Sequence, residues 1–249
     1  MKAILLLLLC FTTLANGQTV GDLFKAMPSE LLPGLSEGNK TMLLVDTGQT
    51  SVPYPLGEVK KRVHSDDHLL LQTSNVGTIE LKLLPVAYPP VIKDLMSKEV
   101  ATQDTETRNP APQDSSPQDF ITKDTVTENP AIQDSMIICV IRTVCAQACD
   151  SRIDFYSTGW EIINDSTLLP PISGEIFFDS SQKERENYKY AVSLPGIYPV
   201  SAKFSENGTD LLLAFDFKEY LDEQQIAEVQ LFLKSDTIVL KWDRVSFKE

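Results

Sequence analysis

The segment from residue 97 to 135 constrains the fold most, because it cannot contribute to a hydrophobic core. It holds four prolines and one aromatic residue, and the string DTETRNPAPQDS that starts at Asp104 returns as DTVTENPAIQDS at Asp124. Such a polar segment cannot bury enough apolar surface to offset its chain entropy, and two copies are too few to stack into a solenoid. We predict a disordered insertion, so that residues 18–96 and 136–249 form the globular part.

The N-terminus has the pattern of a secretory signal peptide. A short positive start is followed by an apolar run containing five consecutive leucines, and Ala15-Asn16-Gly17 ends it with small residues. The run is too short to span a membrane, and Cys10 lies inside it without the preceding small residue of a lipid anchor. We predict cleavage after Gly17 and a periplasmic or secreted protein.

Composition excludes two classes of partner. The net charge of −13 argues against nucleic acid and against an anionic membrane surface, since both attract basic proteins. A hydrophobic content of 42% supports a real core, and no later stretch is long and apolar enough for a membrane span. We expect a water-soluble protein whose partner, a protein or a small molecule, the composition does not identify.

Two short helices are predicted at the start of the mature chain. Thr19 and Asp22 resemble a capping box for a helix over Thr19–Met27, which a proline ends. Ser36–Thr47 is predicted to be the second helix. The run Pro53-Tyr54-Pro55 predicts a break in regular structure.

Strand patterns flank the insertion. Thr78–Val86 alternates, which predicts a half-buried strand with Glu80 and Lys82 on its polar side, whereas Met136–Val144 is almost wholly apolar, as in a strand covered on both faces. Further strands are predicted at His68–Thr73 and Asp150–Ser157. Because neighbouring strands pair, residues 68–86 and 136–158 should share one sheet.

The C-terminal part mixes both kinds of element. A helix is predicted from Pro171 to Phe178, continuing after a break through Tyr190, and a hairpin is predicted from Val200–Phe204 and Asp210–Phe217 around Asn207-Gly208. A second helix is predicted over Asp222–Leu233, capped by Asp222 and Gln225, and a last strand over Thr237–Phe247. The fold class that follows is α+β, an antiparallel sheet of hairpins with helices packed on one face. We predict one compact unit, with two lobes that meet near Trp160 as the alternative.

Three cysteines remain after cleavage. Cys145 and Cys149 lie at the base of a predicted hairpin tip, Ala146-Gln147-Ala148, where an oxidising compartment would allow a disulfide. A redox pair is the alternative, but the spacing differs from that of thioredoxin-like sites and no helix N-terminus is predicted there. Cys139 would then be a free thiol on a strand.

His64, Asp66 and His68 form the one metal-like cluster. Two histidines four residues apart could bind zinc from one helix face, which would suit a metal-dependent hydrolase. The segment lies between predicted strands, however, and paired aspartates beside a serine are ordinary in turns. We therefore predict a solvated turn and no metal.

Motifs for other chemistry are missing from the sequence. No serine-hydrolase elbow, phosphate loop or dinucleotide fingerprint occurs, so we predict neither a cofactor nor catalytic residues. Tyr156, Trp160 and Trp242 could line a ligand groove, although core packing is the favoured role. The predicted function is a non-enzymatic binding or interaction module. A metal-dependent hydrolase and a protein inhibitor that uses an exposed sheet face are the alternatives.

Several strings resemble an uncharacterised family of exported Bacteroidales proteins, domain of unknown function 3256. They are TVCAQACDSRIDFYSTGW at 143–160, AMPSELLP at 26–33, DDHL at 66–69, ELKLLP at 80–85 and LKW at 240–242. The resemblance implies a bacterial periplasmic location and a short loop in relatives where this chain has 97–135. It implies no catalytic residues.

Overall fold

The computed structural model describes residues 18–45, 50–55, 57–73, 77–87, 135–206 and 208–249. Within these ranges the protein has three layers: two N-terminal helices, a six-stranded antiparallel sheet, and a four-stranded antiparallel sheet with short helices around it. The predicted α+β class with helices on one face of an antiparallel sheet is confirmed. The second sheet, which covers the other face, was not predicted.

The two N-terminal helices begin where their caps predict. In α1 (Val20–Ala26) the Thr19 hydroxyl accepts from the Asp22 backbone N–H at 3.2 Å, and the Asp22 carboxylate accepts from the Thr19 N–H at 3.4 Å. α2 (Glu37–Leu44) follows a Ser36 cap and ends at Leu44 rather than Thr47. Residues 46–49 lie outside the described ranges.

The six-stranded sheet follows the order of the chain, each strand pairing with the next. Its strands are β1 (Ser51–Tyr54), β2 (Gly57–His64), β3 (His68–Thr73), β4 (Gly77–Val86), β5 (Ser135–Cys145) and β6 (Cys149–Ser157). The predicted sharing of one sheet by residues 68–86 and 136–158 is therefore confirmed. The break predicted at Pro53-Tyr54-Pro55 is wrong for its first two residues, because an edge strand tolerates a proline that cannot donate a hydrogen bond.

The predicted insertion connects two strands that pair directly. β4 and β5 are antiparallel partners, with Val86 opposite Ser135, so the intervening chain leaves and re-enters at the same end of the sheet. Ser135 therefore begins β5 instead of ending the insertion. Residues 97–134 of the predicted insertion lie outside the described ranges.

β4 is buried on both faces, which corrects the prediction of a polar side. Glu80 and Lys82 are only 4% and 3% exposed, because the second sheet covers the face that they share. Each has a charged or ionisable partner: Glu80 contacts His68, and the Lys82 ammonium lies 2.8 Å from the Asp67 carboxylate. Alternation along the strand reports which residues share a face, but not whether water reaches that face.

The second sheet is built from the C-terminal part in the order β10-β9-β8-β7. Its strands are β7 (Val200–Phe204), β8 (Leu211–Phe215), β9 (Thr237–Trp242) and β10 (Phe247–Lys248). The predicted hairpin at 200–217 is confirmed by the pairing of β7 with β8, although Asn207 in its turn lies outside the described ranges. The predicted last strand is wrong in one respect: it folds back on itself at Arg244, which has φ 74°, to form β9 and β10.

The helices of the C-terminal part are shorter than predicted. The long helix expected from Pro171 to Tyr190 is wrong. Two 3₁₀ turns (Gly174–Phe177 and Ser180–Gln182) and α3 (Tyr188–Ser193) take its place, and Asn187, with φ 68°, interrupts them. A third 3₁₀ turn spans Phe217–Tyr220. α4 (Glu223–Gln230) lies inside its predicted range, and Asp222 and Gln225 form the predicted capping box.

Two hydrophobic clusters lie on opposite faces of the six-stranded sheet. Alternate residues of β5 enter them, Ile138 and Val140 toward α1 and α2, and Ile137 and Ile141 toward the second sheet. The predicted coverage of this strand on both faces is confirmed. No helix in the described ranges is long and apolar enough to cross a bilayer.

Candidate functional site

The structure separates the two histidines of the predicted metal cluster. His64 ends β2 and His68 begins β3, and residues 65–67 form the turn between them. His64 lies near α1, where its Nε2 is 3.2 Å from the position of a Cβ built on Gly21, whereas the His68 ring faces Phe204 of β7 with centroids 6.3 Å apart. The two rings therefore lie on opposite faces of the sheet.

Asp66 is exposed in the turn itself, where its backbone carbonyl accepts from the Val20 N–H at 2.7 Å. Ser65 supports the turn by donating to the Asp67 carboxylate at 2.8 Å and accepting from the His68 N–H at 3.1 Å. In the described residues, no group of three or more His, Cys, Asp or Glu side chains could hold a metal ion. The geometry thus gives the metal-dependent hydrolase no support.

His68 takes part in a buried contact between the sheets. Its Nε2 lies 2.7 Å from Glu80 Oε1, and both side chains are almost fully buried. The two Glu80 oxygens also accept from the Phe204 backbone N–H, at 3.2 and 3.3 Å. This carboxylate therefore joins β3, β4 and β7, a structural role that leaves it no access to a substrate.

The three cysteines that the structure describes offer no nucleophilic thiol. Burial raises the pKa of the fully buried Cys139 well above its usual value, and the nearby Glu80 and Asp154 carboxylates raise it further. Because the thiolate is the reactive form, this thiol is inert. The sulfurs of Cys145 and Cys149 are 2.02 Å apart, in a disulfide that closes the β5–β6 hairpin around its three-residue tip.

The aromatic residues singled out in the sequence support the packing of the layers. The Trp160 indole donates to the Leu23 carbonyl at 3.0 Å and packs on Tyr156, which connects the segment after β6 to α1. The Trp242 indole donates to the Pro85 carbonyl at 2.7 Å and so connects β9 to β4. Each tryptophan thus forms a hydrogen bond between two layers of the fold.

Two adjoining clefts lie where the β5–β6 hairpin meets β7. One, of about 380 Å³, lies between the hairpin tip and the chain before β7. The other, of about 350 Å³, lies between β6, β7 and residues 169–172. Asp150 and Tyr198 line both, and we call the pair the hairpin cleft. Each volume falls within the range of about 300–1,000 Å³ that is typical of ligand pockets.

Side-chain hydrogen bonds hold the two strands that form the cleft walls. β7 is an edge strand, so the N–H groups of alternate residues point away from its partner β8. Asp150 accepts from the Val200 N–H at 3.2 Å, and the Ser151 hydroxyl accepts from the Ala202 N–H at 2.8 Å. These bonds satisfy donors that an open edge would expose, and they fix β6 against β7.

Tyr198 is held in place at the junction of the two clefts. Its ring stacks on Phe215 with centroids 5.5 Å apart, and its hydroxyl donates to the Val192 carbonyl. Burial raises the pKa of this phenol, and the Glu175 carboxylate adds to the effect. Gly174 lies directly against the ring, and a Cβ at that position would fall inside it, so this close approach requires glycine.

The hairpin cleft is lined mainly by apolar residues, although polar atoms contribute nearly as much of its exposed surface as apolar ones. Val144, Ile197 and Tyr220 are exposed by 65%, 54% and 37% around the disulfide-closed tip. The described residues that line the two clefts include one carboxylate, that of Asp150, and no lysine, arginine or histidine. The arrangement offers a binding surface, but no pairing of nucleophile and base.

Sequence reasoning missed these residues. Asp150 is one of 35 acidic residues, and Tyr198 stands beside a proline in a segment without periodicity. The cleft is formed by four segments that are far apart in the chain. The nearest signal was the predicted hairpin tip, which proves to be one of its walls.

Comparison with solved structures agrees with this architecture. A domain of an uncharacterized protein from Porphyromonas gingivalis W83 superposes with a TM-score of 0.63 at 21% sequence identity, over 92% of this chain and 96% of that one. At this identity the likeness shows the shared fold. No curated protein matches the chain.

A family model covers the part of the chain that forms the hairpin cleft. Residues 126–247 match the family described as protein of unknown function (DUF3256). The range includes two of the strings on which the resemblance was based, at 143–160 and 240–242, while the other three precede it. The predicted resemblance is confirmed over residues 126–247, where the chain matches the DUF3256 family of unknown function.

Proposed function

We propose that this protein is a non-enzymatic binding module that acts outside the cytoplasm, with the hairpin cleft as its binding site. The observation that carries the proposal is a concave surface lined mainly by apolar residues. A disulfide closes its β5–β6 hairpin wall, and the Val200 and Ala202 N–H groups of β7 donate to Asp150 and Ser151 of β6. A preorganised wall loses little freedom on binding, which favours affinity.

Action outside the cytoplasm is supported by the N-terminal pattern together with the Cys145–Cys149 disulfide, since such bonds persist in oxidising compartments. We expect mass spectrometry of the native protein to find a mature chain that begins at Gln18. Replacing Ala15 and Gly17 with bulky residues should block this processing, because signal cleavage needs small side chains there. Recovery of the unaltered chain from the cytoplasm with Met1 attached would contradict export.

Binding at the cleft can be tested with the change Val144→Asp. We would screen a fragment library of aromatic and aliphatic amines, acids and neutral compounds by amide NMR. Fragments that bind in the cleft should shift the amide signals of residues 145–150 and of Ile197, Tyr198 and Val200. The change places a second carboxylate in the cleft's apolar rim without disturbing the core, because Val144 is exposed. We expect it to weaken neutral apolar hits about tenfold, as it removes an apolar contact and adds a charge that binding would desolvate.

Val245→Asp is the matched control. Val245 is also an exposed valine, but it lies in the β9–β10 turn and lines neither cleft. Fragment affinity and the unfolding midpoint should both be unchanged in this variant, whereas Val144→Asp, whose new carboxylate lies opposite Asp150, should lower the midpoint slightly. Hits that cluster elsewhere, or that weaken equally in both variants, would remove the cleft from consideration as the binding site.

A further inference from the structure

We propose that the hairpin cleft recognises an extended peptide segment in which a basic residue is flanked by apolar ones. This inference rests on the proposed function, since it names the ligand class of the same cleft. The two adjoining clefts are lined mainly by apolar residues and share one carboxylate, that of Asp150, where they meet. A ligand that fills both must therefore present apolar groups on either side of a cationic one.

The charge of the cleft selects a cation. Asp150 is exposed and accepts one backbone hydrogen bond, and nearby Asp216 accepts from the Cys149 N–H at 3.4 Å. In the part of the chain that the structure describes, neither carboxylate forms an ion pair with a basic side chain. The overall charge of −13 also attracts cations over longer distances.

The walls suit flanking apolar side chains. Val144, Ile197 and Tyr220 are presented to solvent in one cleft, and Leu169 and Ile172 line the other. Side chains of an extended peptide alternate, so every second residue can point into the same groove.

The β7 edge has no free N–H groups to offer a peptide backbone at Val200, Ala202 and Phe204, so a ligand must be recognised through its side chains. The outward N–H groups of Val200, Ala202 and Phe204 already donate to side chains of the six-stranded sheet. A peptide therefore cannot add as a further strand on β7 without breaking these bonds, which excludes the commonest backbone mode of peptide capture. Specificity must come from the pockets and the carboxylate.

The test uses the blocked peptide acetyl-Trp-Ala-Lys-Ala-Trp-amide and a copy with norleucine in place of lysine, titrated by calorimetry into the full mature chain. Removing either partner of a charge-assisted contact should weaken binding by about ten- to hundredfold. We expect this loss for the norleucine peptide and for Asp150→Asn. Combining the two changes should cost little more than either alone, because both remove the same contact. Added salt should weaken the lysine peptide selectively.

Asp66→Asn is the matched control, because it removes an exposed carboxylate far from the cleft. Asp66 lies in the turn beside Leu83, near the C-terminal end of β4, whereas the hairpin tip lies beyond the N-terminal end of that strand. It should leave both affinities unchanged. Norleucine and lysine peptides that bind equally would overturn the inference and leave the binding function standing. The inference would also be overturned if cadaverine, which lacks apolar flanks, competed at the same concentration as the lysine peptide, since the flanks would then contribute nothing to affinity. Failure of both peptides and all fragments to shift cleft residues would overturn both proposals.

Discussion

The change Glu80→Ala is expected to lower the free energy of unfolding by about 3–5 kcal/mol, the usual cost of removing one partner from a buried pair. The Glu80 carboxylate is almost fully buried and contacts the His68 ring at 2.7 Å and the Phe204 N–H at 3.2 Å. Alanine leaves both groups in a dry interior with no acceptor. Because Phe204 belongs to β7, the change also removes one of the hydrogen bonds that hold this strand against the six-stranded sheet.

Urea unfolding followed by tryptophan fluorescence measures this effect. Glu80→Gln retains an acceptor for the Phe204 N–H and should lose less than Glu80→Ala. Glu58→Ala is the control on another strand of the same sheet: Glu58 is exposed and pairs with Lys60 at 2.5 Å, so no measurable change is expected. If Glu80→Ala proved as mild as Glu58→Ala, the contact between the sheets would not have the role assigned to it.

The change Lys40→Ala is expected to cost about 2–4 kcal/mol, because it combines lost methylene burial with an unpartnered carbonyl. Lys40 lies in α2, and its side chain is fully buried. Its ammonium donates to the Met27 carbonyl at 2.6 Å and to the Glu37 carboxylate at 2.8 Å. Met27 is the C-terminal cap of α1, so one lysine satisfies the end of one helix from the body of the next.

Lys25→Ala on α1 is the matched control, because Lys25 also has an acidic partner three residues away. That pair is exposed on both sides, and the Lys25 ammonium lies 3.7 Å from the Asp22 carboxylate. Exposed pairs contribute little to stability, so the unfolding midpoint should not move. Equal effects of the two alanine variants would show that burial of Lys40 adds nothing to the docking of the helices.

Features that depend on near neighbours in the chain could be predicted from the sequence. The capping boxes of Thr19 with Asp22 and of Asp222 with Gln225 form within one helical turn, so the residue types are enough. The wholly apolar run of β5 required cover on both faces. The pairing of β4 with β5 across the predicted insertion followed from the preference of successive strands for each other.

The location of the candidate site and the burial of polar side chains such as Glu80 could be seen only in the tertiary structure. The sequence placed Glu80 on the polar side of a half-buried strand, because alternation cannot show that a second sheet will cover that side. It grouped His64 with His68 by spacing, although a turn between antiparallel strands sends the two rings to opposite faces.

The sequence alone determined the fold class, the strand order around the predicted insertion and the local helix caps, because short-range hydrogen bonds and hydrophobic periodicity act between residues close in the chain. Only the tertiary structure decided the hairpin cleft, where Asp150 and Tyr198 meet beside the 169–172 segment and Tyr220. These residues share no periodic pattern. Packing of the two sheets brings them together, and that packing depends on long-range complementarity that no local pattern records.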